Sequence, residues 1–196
     1  MCCWWRRAML IFFVRCEPHV RSMRHLLAAF GALAFISSTA LAAPAPPPNL
    51  IVIDAKLTTA GQPSAAWLAT LHDQGYEAVI YLAPPTSDDA VRDEPLIVGR
   101  QGLIWANLPI KFGSPADADY ESFAGLLKGL RGKKVLVHCQ VNMRASTLTF
   151  LYRTLNEHVD PNVAWEAVSK VWTPEGPWKD LVLKRLKAQG VSFDPF

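Results

Sequence analysis

Val135-Leu136-Val137-His138-Cys139-Gln140-Val141-Asn142-Met143-Arg144-Ala145-Ser146 is the stretch whose reading decides the fold. Its first three residues are short, apolar and mostly β-branched, which predicts a buried strand ending at His138. A polar loop follows. From Ala145 to Glu157 the spacing of Leu148, Leu151, Tyr152 and Leu155 predicts a helix. A thiol between a strand and a helix faces the helix N–H groups and its positive dipole end, here with the Arg144 guanidinium beside it. That setting favours thiolate over thiol and gives an oxyanion somewhere to bind.

Cys139 is therefore a candidate nucleophile. Arg144 is a candidate anion ligand, since a guanidinium can grip a tetrahedral oxyanion through two donors. Gln140, Val141, Asn142 and Met143 form the loop whose N–H groups complete such a cradle. Asn142 tolerates the left-handed conformation a tight turn needs. His138 is expected to hydrogen-bond the backbone and hold the loop. Ser146 is expected to cap the helix or to donate to the sulfur in a second step. A leaving alkoxide also needs a proton. Asp117 and Asp119, after the next strand upstream, are the candidate acids; alternatively they serve only the dipole of the helix they open.

The same alternation runs outward from this stretch. Leu50 to Ile53 is a short apolar run. Ser64 predicts the start of a helix from Ala65 to Gln74, stopped by Gly75. Glu77 to Leu82 predicts a strand, Asp88 to Gln101 a helix broken at Pro95, and Leu103 to Leu108 another strand. Lys111 to Ala116 is a loop, and Asp117 to Leu130 an amphipathic helix. Helices at Asn162 to Trp172 and Trp178 to Ala188 are separated by Thr173-Pro174-Glu175-Gly176-Pro177. Gly61-Gln62-Pro63-Ser64 reads as a tight turn, or alternatively as a place where Gln62 edges a pocket. Strands alternating with helices predict a single α/β domain over residues 49–196, with a mainly parallel central sheet flanked by helices. Ligands of such sheets lie beyond the carboxyl ends of the strands, where Cys139 falls.

The N-terminal part has a different character. Met23-Arg24-His25, the apolar run Leu26 to Ile36 and Ala40-Leu41-Ala42-Ala43 describe a signal peptide over residues 23–42, which implies a periplasmic or secreted protein. Residues 1–22 fit poorly before such a signal and read as an upstream extension from a misassigned start. Ala43 to Pro48 is a proline-rich spacer. Cys2, Cys3 and Cys16 precede the cleavage site, so Cys139 is alone in the mature chain and forms no disulfide within it. Five arginines and a single glutamate also precede it. The mature domain is thus close to neutral, which argues against a nucleic-acid surface, and no membrane insertion is expected after cleavage. There is no metal-ligand spacing and no glycine-rich nucleotide loop, so no metal or cofactor is expected.

The loop resembles the signature of cysteine-dependent protein tyrosine and dual-specificity phosphatases, His-Cys-x-x-Gly-x-x-Arg-Ser/Thr. Thr59-Ala60-Gly61-Gln62-Pro63-Ser64, Gly75-Tyr76-Glu77-Ala78-Val79-Ile80-Tyr81-Leu82, Leu108-Pro109-Ile110 and Val137-His138-Cys139 are similar to a bacterial branch that includes the beta-lactamase-hydrolase-like phosphatase domains. The resemblance covers essentially the whole mature domain. It implies a tyrosine-phosphatase-like fold, a phosphorylated substrate, Cys139 as nucleophile, Arg144 as phosphate ligand and an aspartate from the preceding loop as acid. The chain departs from the pattern in three ways. Four residues rather than five separate Cys139 from Arg144, Asn142 stands where the family has glycine, and Ala145 separates Arg144 from Ser146. Rhodanese-like sulfurtransferases share the shorter spacing, so a Cys139 persulfide enzyme is one alternative. A non-catalytic phosphate-binding module is the other.

Overall fold

The structure, a computed structural model, describes residues 42–196. The expected upstream extension and, apart from Ala42, the expected signal peptide lie outside the described residues. Five strands, β1 (Ile51–Val52), β2 (Leu57–Ala60), β3 (Ala78–Tyr81), β4 (Ile104–Asn107) and β5 (Val135–His138), form one sheet in the order β1-β2-β5-β3-β4. Only β1 runs antiparallel. The helices are α1 (Ala65–Leu68), α2 (Glu94–Arg100), α3 (Asp117–Gly129), α4 (Met143–Asn156), α5 (Pro161–Ser169) and α6 (Gly176–Ala188). This is the α/β class with a mainly parallel sheet that the alternating pattern predicts.

Central placement of β5 follows from its burial on both faces. Val135 and Val137 pack with Ile80, Phe123, Leu148, Leu151 and Trp178 on the side of α3, α4 and α6. Leu136 packs with Val79, Leu68, Leu71 and Val98 on the side of α1 and α2. Each such side chain contributes roughly 1.5–3 kcal/mol when fully buried. That sum outweighs the weak intrinsic preference of four-residue strands. The two-residue period of a strand also puts His138 on the same face as Leu136, toward α2.

α5 ends at Ser169 rather than Trp172, α6 starts at Gly176 rather than Trp178, and further helices differ from expectation. α1 stops at Leu68 instead of Gln74. Ser64 does cap it, accepting from Trp67 N at 3.1 Å. Gln101 ends it, because its Nε2 donates to Leu68 O at 2.8 Å and its Oε1 accepts from His72 N at 3.0 Å. Those are the carbonyl and amide that a helical bond from His72 to Leu68 would join, two residues after Thr70 N has already shifted to Trp67 O at 3.0 Å. α2 covers only the second half of its expected span, and Pro95 opens it rather than breaking it. A first-turn proline lacks an amide that would have no helical partner anyway. α4 starts two residues early, at Met143, which places Arg144 in its first turn.

Candidate active site

Cys139 follows β5 directly and is fully buried. Its N–H donates to Ala60 O at 3.2 Å, continuing the pairing with β2. The chain then turns at Asn142, which has φ 72° and ψ −1°. After glycine, asparagine is among the residues that adopt this left-handed region at least cost, so it does the work of the absent glycine. Asn142 is also the N-cap of α4, yet its side chain caps nothing. Its Nδ2 instead donates to Asn49 O at 2.6 Å and Thr59 Oγ1 at 3.1 Å. The first-turn amides of α4 are thereby left without a side-chain partner, which is the arrangement an anion exploits.

The loop backbone is held from outside. Gln62 N donates to Gln140 O at 2.9 Å, and Asn49 Nδ2 donates to Val141 O at 3.0 Å. Gly61 N donates to Pro48 O at 2.7 Å. A Cβ on Gly61 would lie 2.8 Å from Gln140 O and 3.0 Å from Pro48 O, so only glycine fits between them. The end of the proline-rich stretch is thus part of the wall of the loop, with Pro47 buried.

Beneath the loop lies a buried polar cluster. His138 Nε2 is 2.7 Å from Glu94 Oε1. Trp105 Nε1 donates to the same oxygen at 2.9 Å, and Gln62 Nε2 donates to Oε2 at 2.8 Å. Burial pushes the Glu94 carboxyl up. The hydrogen bond and charge of His138, with the bonds from Trp105 and Gln62, outweigh this and hold it below its ordinary value. An ionised carboxylate only accepts, so Nε2 of His138 carries the donated proton. Tyr81 stacks on the imidazole with centroids 4.8 Å apart. Burial, then the charges of Asp89 and Glu94, push the Tyr81 hydroxyl up to about 12. The expectation that His138 bonds the backbone is corrected here: strand parity aims its ring at α2, and the side chain of Glu94 meets it.

Arg144 is 5% exposed. Its Nε donates to Ile110 O at 3.0 Å and its Nη1 to Gln140 Oε1 at 3.3 Å. The guanidinium lies 5.1 Å from the centre of the Phe112 ring. Phe112 is partly exposed; Trp172 and Trp178 pack against it, and Trp178 Nε1 donates to its carbonyl at 2.8 Å. Val141 is exposed and Met143 half-buried at the outer edge of the loop. Ser146 neither caps α4 nor donates to the sulfur. Its Oγ bonds back to Met143 O at 3.2 Å, inside its own helix.

Asp117 and Asp119 have other partners. Asp119 Oδ2 accepts from Ala116 N at 2.8 Å and so caps α3. Asp117 pairs with Lys184 and, at 3.8 Å, with Arg185 on α6. Its hydrogen bond to Lys184 holds the carboxyl below the usual range, against a smaller upward push from burial. It lines a depression with Pro115, Pro177, Asp180 and Lys184 that includes no residue of the Cys139–Arg144 loop. The structure thus brings together His138, Cys139, Gln140, Asn142 and Arg144, and leaves the two aspartates apart from them. Gln62, offered as a pocket-edge residue, joins them through Gln140 and Glu94, and the structure adds Asn49, Thr59, Tyr81, Glu94 and Ile110. Among the described residues no group of three or more His, Cys, Asp or Glu side chains is arranged to hold a metal ion.

Parallel strands around a Cys-led loop that runs into an Arg-bearing helix define the fold of the cysteine-dependent tyrosine and dual-specificity phosphatases. Solved structures agree. A DUF442 protein of Shewanella putrefaciens CN-32, described as a candidate phosphatase, is 29% identical over 73% of this chain and 92% of its own, with a TM-score of 0.67. Tk-PTP in its active form is 21% identical over 72% of this chain and 98% of its own, with a TM-score of 0.59. TpbA of P. aeruginosa, as a cysteine-to-serine form in complex with pTyr, is 22% identical over 71% and 81%, with a TM-score of 0.51. At these identities the last two speak for the fold alone. No family model matches the chain, and no curated protein matches it.

Proposed function

We propose that this protein is a phosphatase that cleaves phosphate monoesters through a cysteinyl-phosphate on Cys139. The observation that carries the reading is the open N-terminus of α4. Asn142 turns its side chain away, so unshared amides open the helix that follows the buried Cys139 and carries the buried Arg144 in its first turn. Without an anion, a cation in the first turn of a helix is electrostatically unfavourable.

In this reading Sγ of Cys139 attacks phosphorus and the ester oxygen departs, taking up a proton. The α4 amides and Arg144 hold the remaining phosphoryl oxygens where charge develops. Water then attacks phosphorus, the S–P bond breaks and the thiolate returns. Asn142 in the left-handed region supports the shorter spacing, because it turns the chain sharply within four residues. Phe112 beside Arg144 offers a ring to an aryl ester, and the pTyr in the TpbA complex is of that class. The leader motif supports a periplasmic or secreted location, which N-terminal sequencing of the fractionated protein tests.

The activity test uses p-nitrophenyl phosphate and, separately, thiosulfate with cyanide. Turnover of the first, lost in Cys139→Ser, is expected. Turnover of the second alone would replace the reading by a sulfurtransferase.

A further inference from the structure

The phosphatase reading leaves one role unfilled. The departing oxygen needs a proton, and Asp117 and Asp119 are committed to α6 and to the start of α3. We propose that Asp89, from the segment joining β3 to α2, is the general acid of the reaction.

Its position carries the inference. β3 lies beside β5, so the segment after β3 rises next to the Cys139 loop at the carboxyl ends of the strands. Its near end is fixed: Tyr81 Oη donates to Pro84 O at 3.3 Å, and Asn107 Nδ2 donates to Ala83 O at 3.0 Å. A turn in which Ala90 N donates to Ser87 O at 3.0 Å brackets Asp89. Asp89 Oδ1 accepts from Gln140 Nε2 at 3.1 Å, and Oε1 of the same Gln140 accepts from Arg144 Nη1. One carboxamide therefore links this carboxylate to the guanidinium that grips phosphate. Among the described residues only Asp89 and Glu94 place a carboxylate in hydrogen bonding with residues 138–144. Glu94 is buried with both oxygens occupied, so it cannot exchange protons with an incoming ester. Asp89 is exposed and can.

The step balances. As the S–P bond forms, the P–O ester bond breaks, its electron pair goes to the leaving oxygen, and that oxygen takes the proton of the Asp89 carboxyl. In the second half the Asp89 carboxylate takes a proton from the attacking water. The S–P bond then breaks with its pair returning to sulfur, and the products are an alcohol or phenol and inorganic phosphate.

The inference rests on the phosphatase reading, and the test separates the two. Wild type, D89N, D89E and the neighbouring control D88N are compared on phenyl phosphate, a poor leaving group, and p-nitrophenyl phosphate, a good one. General acid catalysis is worth about 10²–10⁴-fold. D89N is therefore expected to lose about 100-fold or more in kcat on phenyl phosphate, much less on p-nitrophenyl phosphate, and to lose the alkaline limb of its kcat/KM profile. D89E should keep that limb, and D88N should match wild type. Unchanged thermal melting and unchanged vanadate binding in D89N show that the fold and cradle persist. Equal losses on both substrates, an unaltered pH profile, or an effect carried by D88N overturn the assignment while leaving the phosphatase reading intact. A wild type that never phosphorylates Cys139 removes both.

Discussion

Two clusters of charged side chains, one beneath the Cys139–Arg144 loop and one away from it, are built on opposite principles. Below the loop, His138 and Glu94 are 0% and 2% exposed and share their hydrogen bonds with Gln62 and Trp105. Away from the loop, the start of α3 is held to α6 by Asp117 with Lys184 and by Glu121 with Arg185, and the Lys184 side chain is 69% exposed. A buried ion pair is costly to form and costlier to break, because the partner left behind remains a desolvated charge or an unpaired donor. Exposed pairs are screened by water and salt and contribute little. The first cluster therefore holds the base of the loop rigidly, whereas the second can exchange partners at little cost.

This contrast sets an order of effects. Glu94→Ala should be the most severe, with a loss of about 3–5 kcal/mol in urea unfolding. Gly61→Ala forces a methyl against two backbone carbonyls, and overpacking of this kind costs typically 1–3 kcal/mol. Activity should fall with it, since the displaced carbonyl belongs to Gln140. Asn142→Gly keeps the left-handed turn but loses the amide's two bonds, each worth about 0.5–1.5 kcal/mol. At the bottom of the order, Asp117→Asn should leave the melting temperature nearly unchanged, and added salt should erase the difference that remains. An Asp117 variant as damaging as Glu94→Ala would break the comparison.

Acid sharpens it. The folded state holds the Glu94 carboxyl below its ordinary value of 4.5. A depressed carboxylate contributes stability that is fully present above the unfolded value and is lost as pH falls through the folded one. The gap in melting temperature between wild type and Glu94→Gln should therefore narrow as pH falls below about 4.5. A gap that widened on acidification would mean that the pair does not stabilise the ionised form.

Most of the fold was legible in the sequence, because strand and helix periods differ and β5 is apolar on both faces. The shape of the loop was legible for a similar reason: Cys139, Asn142 and Arg144 lie close in sequence, and the left-handed turn and helix start that hold them are local backbone features. The supporting residues were not. Glu94 lies 44 positions from His138 and Asn142 reaches Asn49 across 93, and contacts at such separations leave no periodic trace. His138 was expected to bond the backbone because its parity on β5 becomes informative only once α2 is known to cover that face. α1 was overestimated for the same reason, since Gln101 ends it from 33 residues away. Asp117 and Asp119 sit where an acid often serves a helix, and sequence cannot show that Lys184 and Arg185 wait on α6. The prolines before Asn49 look like a free linker until Pro48 is seen bonded to Gly61 and Asn49 to the loop at Val141 and Asn142.

The most direct test is to quench p-nitrophenyl phosphate turnover with acid and map the phosphorylated peptide by mass spectrometry. The peptide containing Cys139 should carry a phosphoryl group in wild type and none in Cys139→Ser, which should also be inactive. Turnover with no phosphate on that peptide, or undiminished turnover in the serine variant, contradicts a thiolate nucleophile at the head of α4.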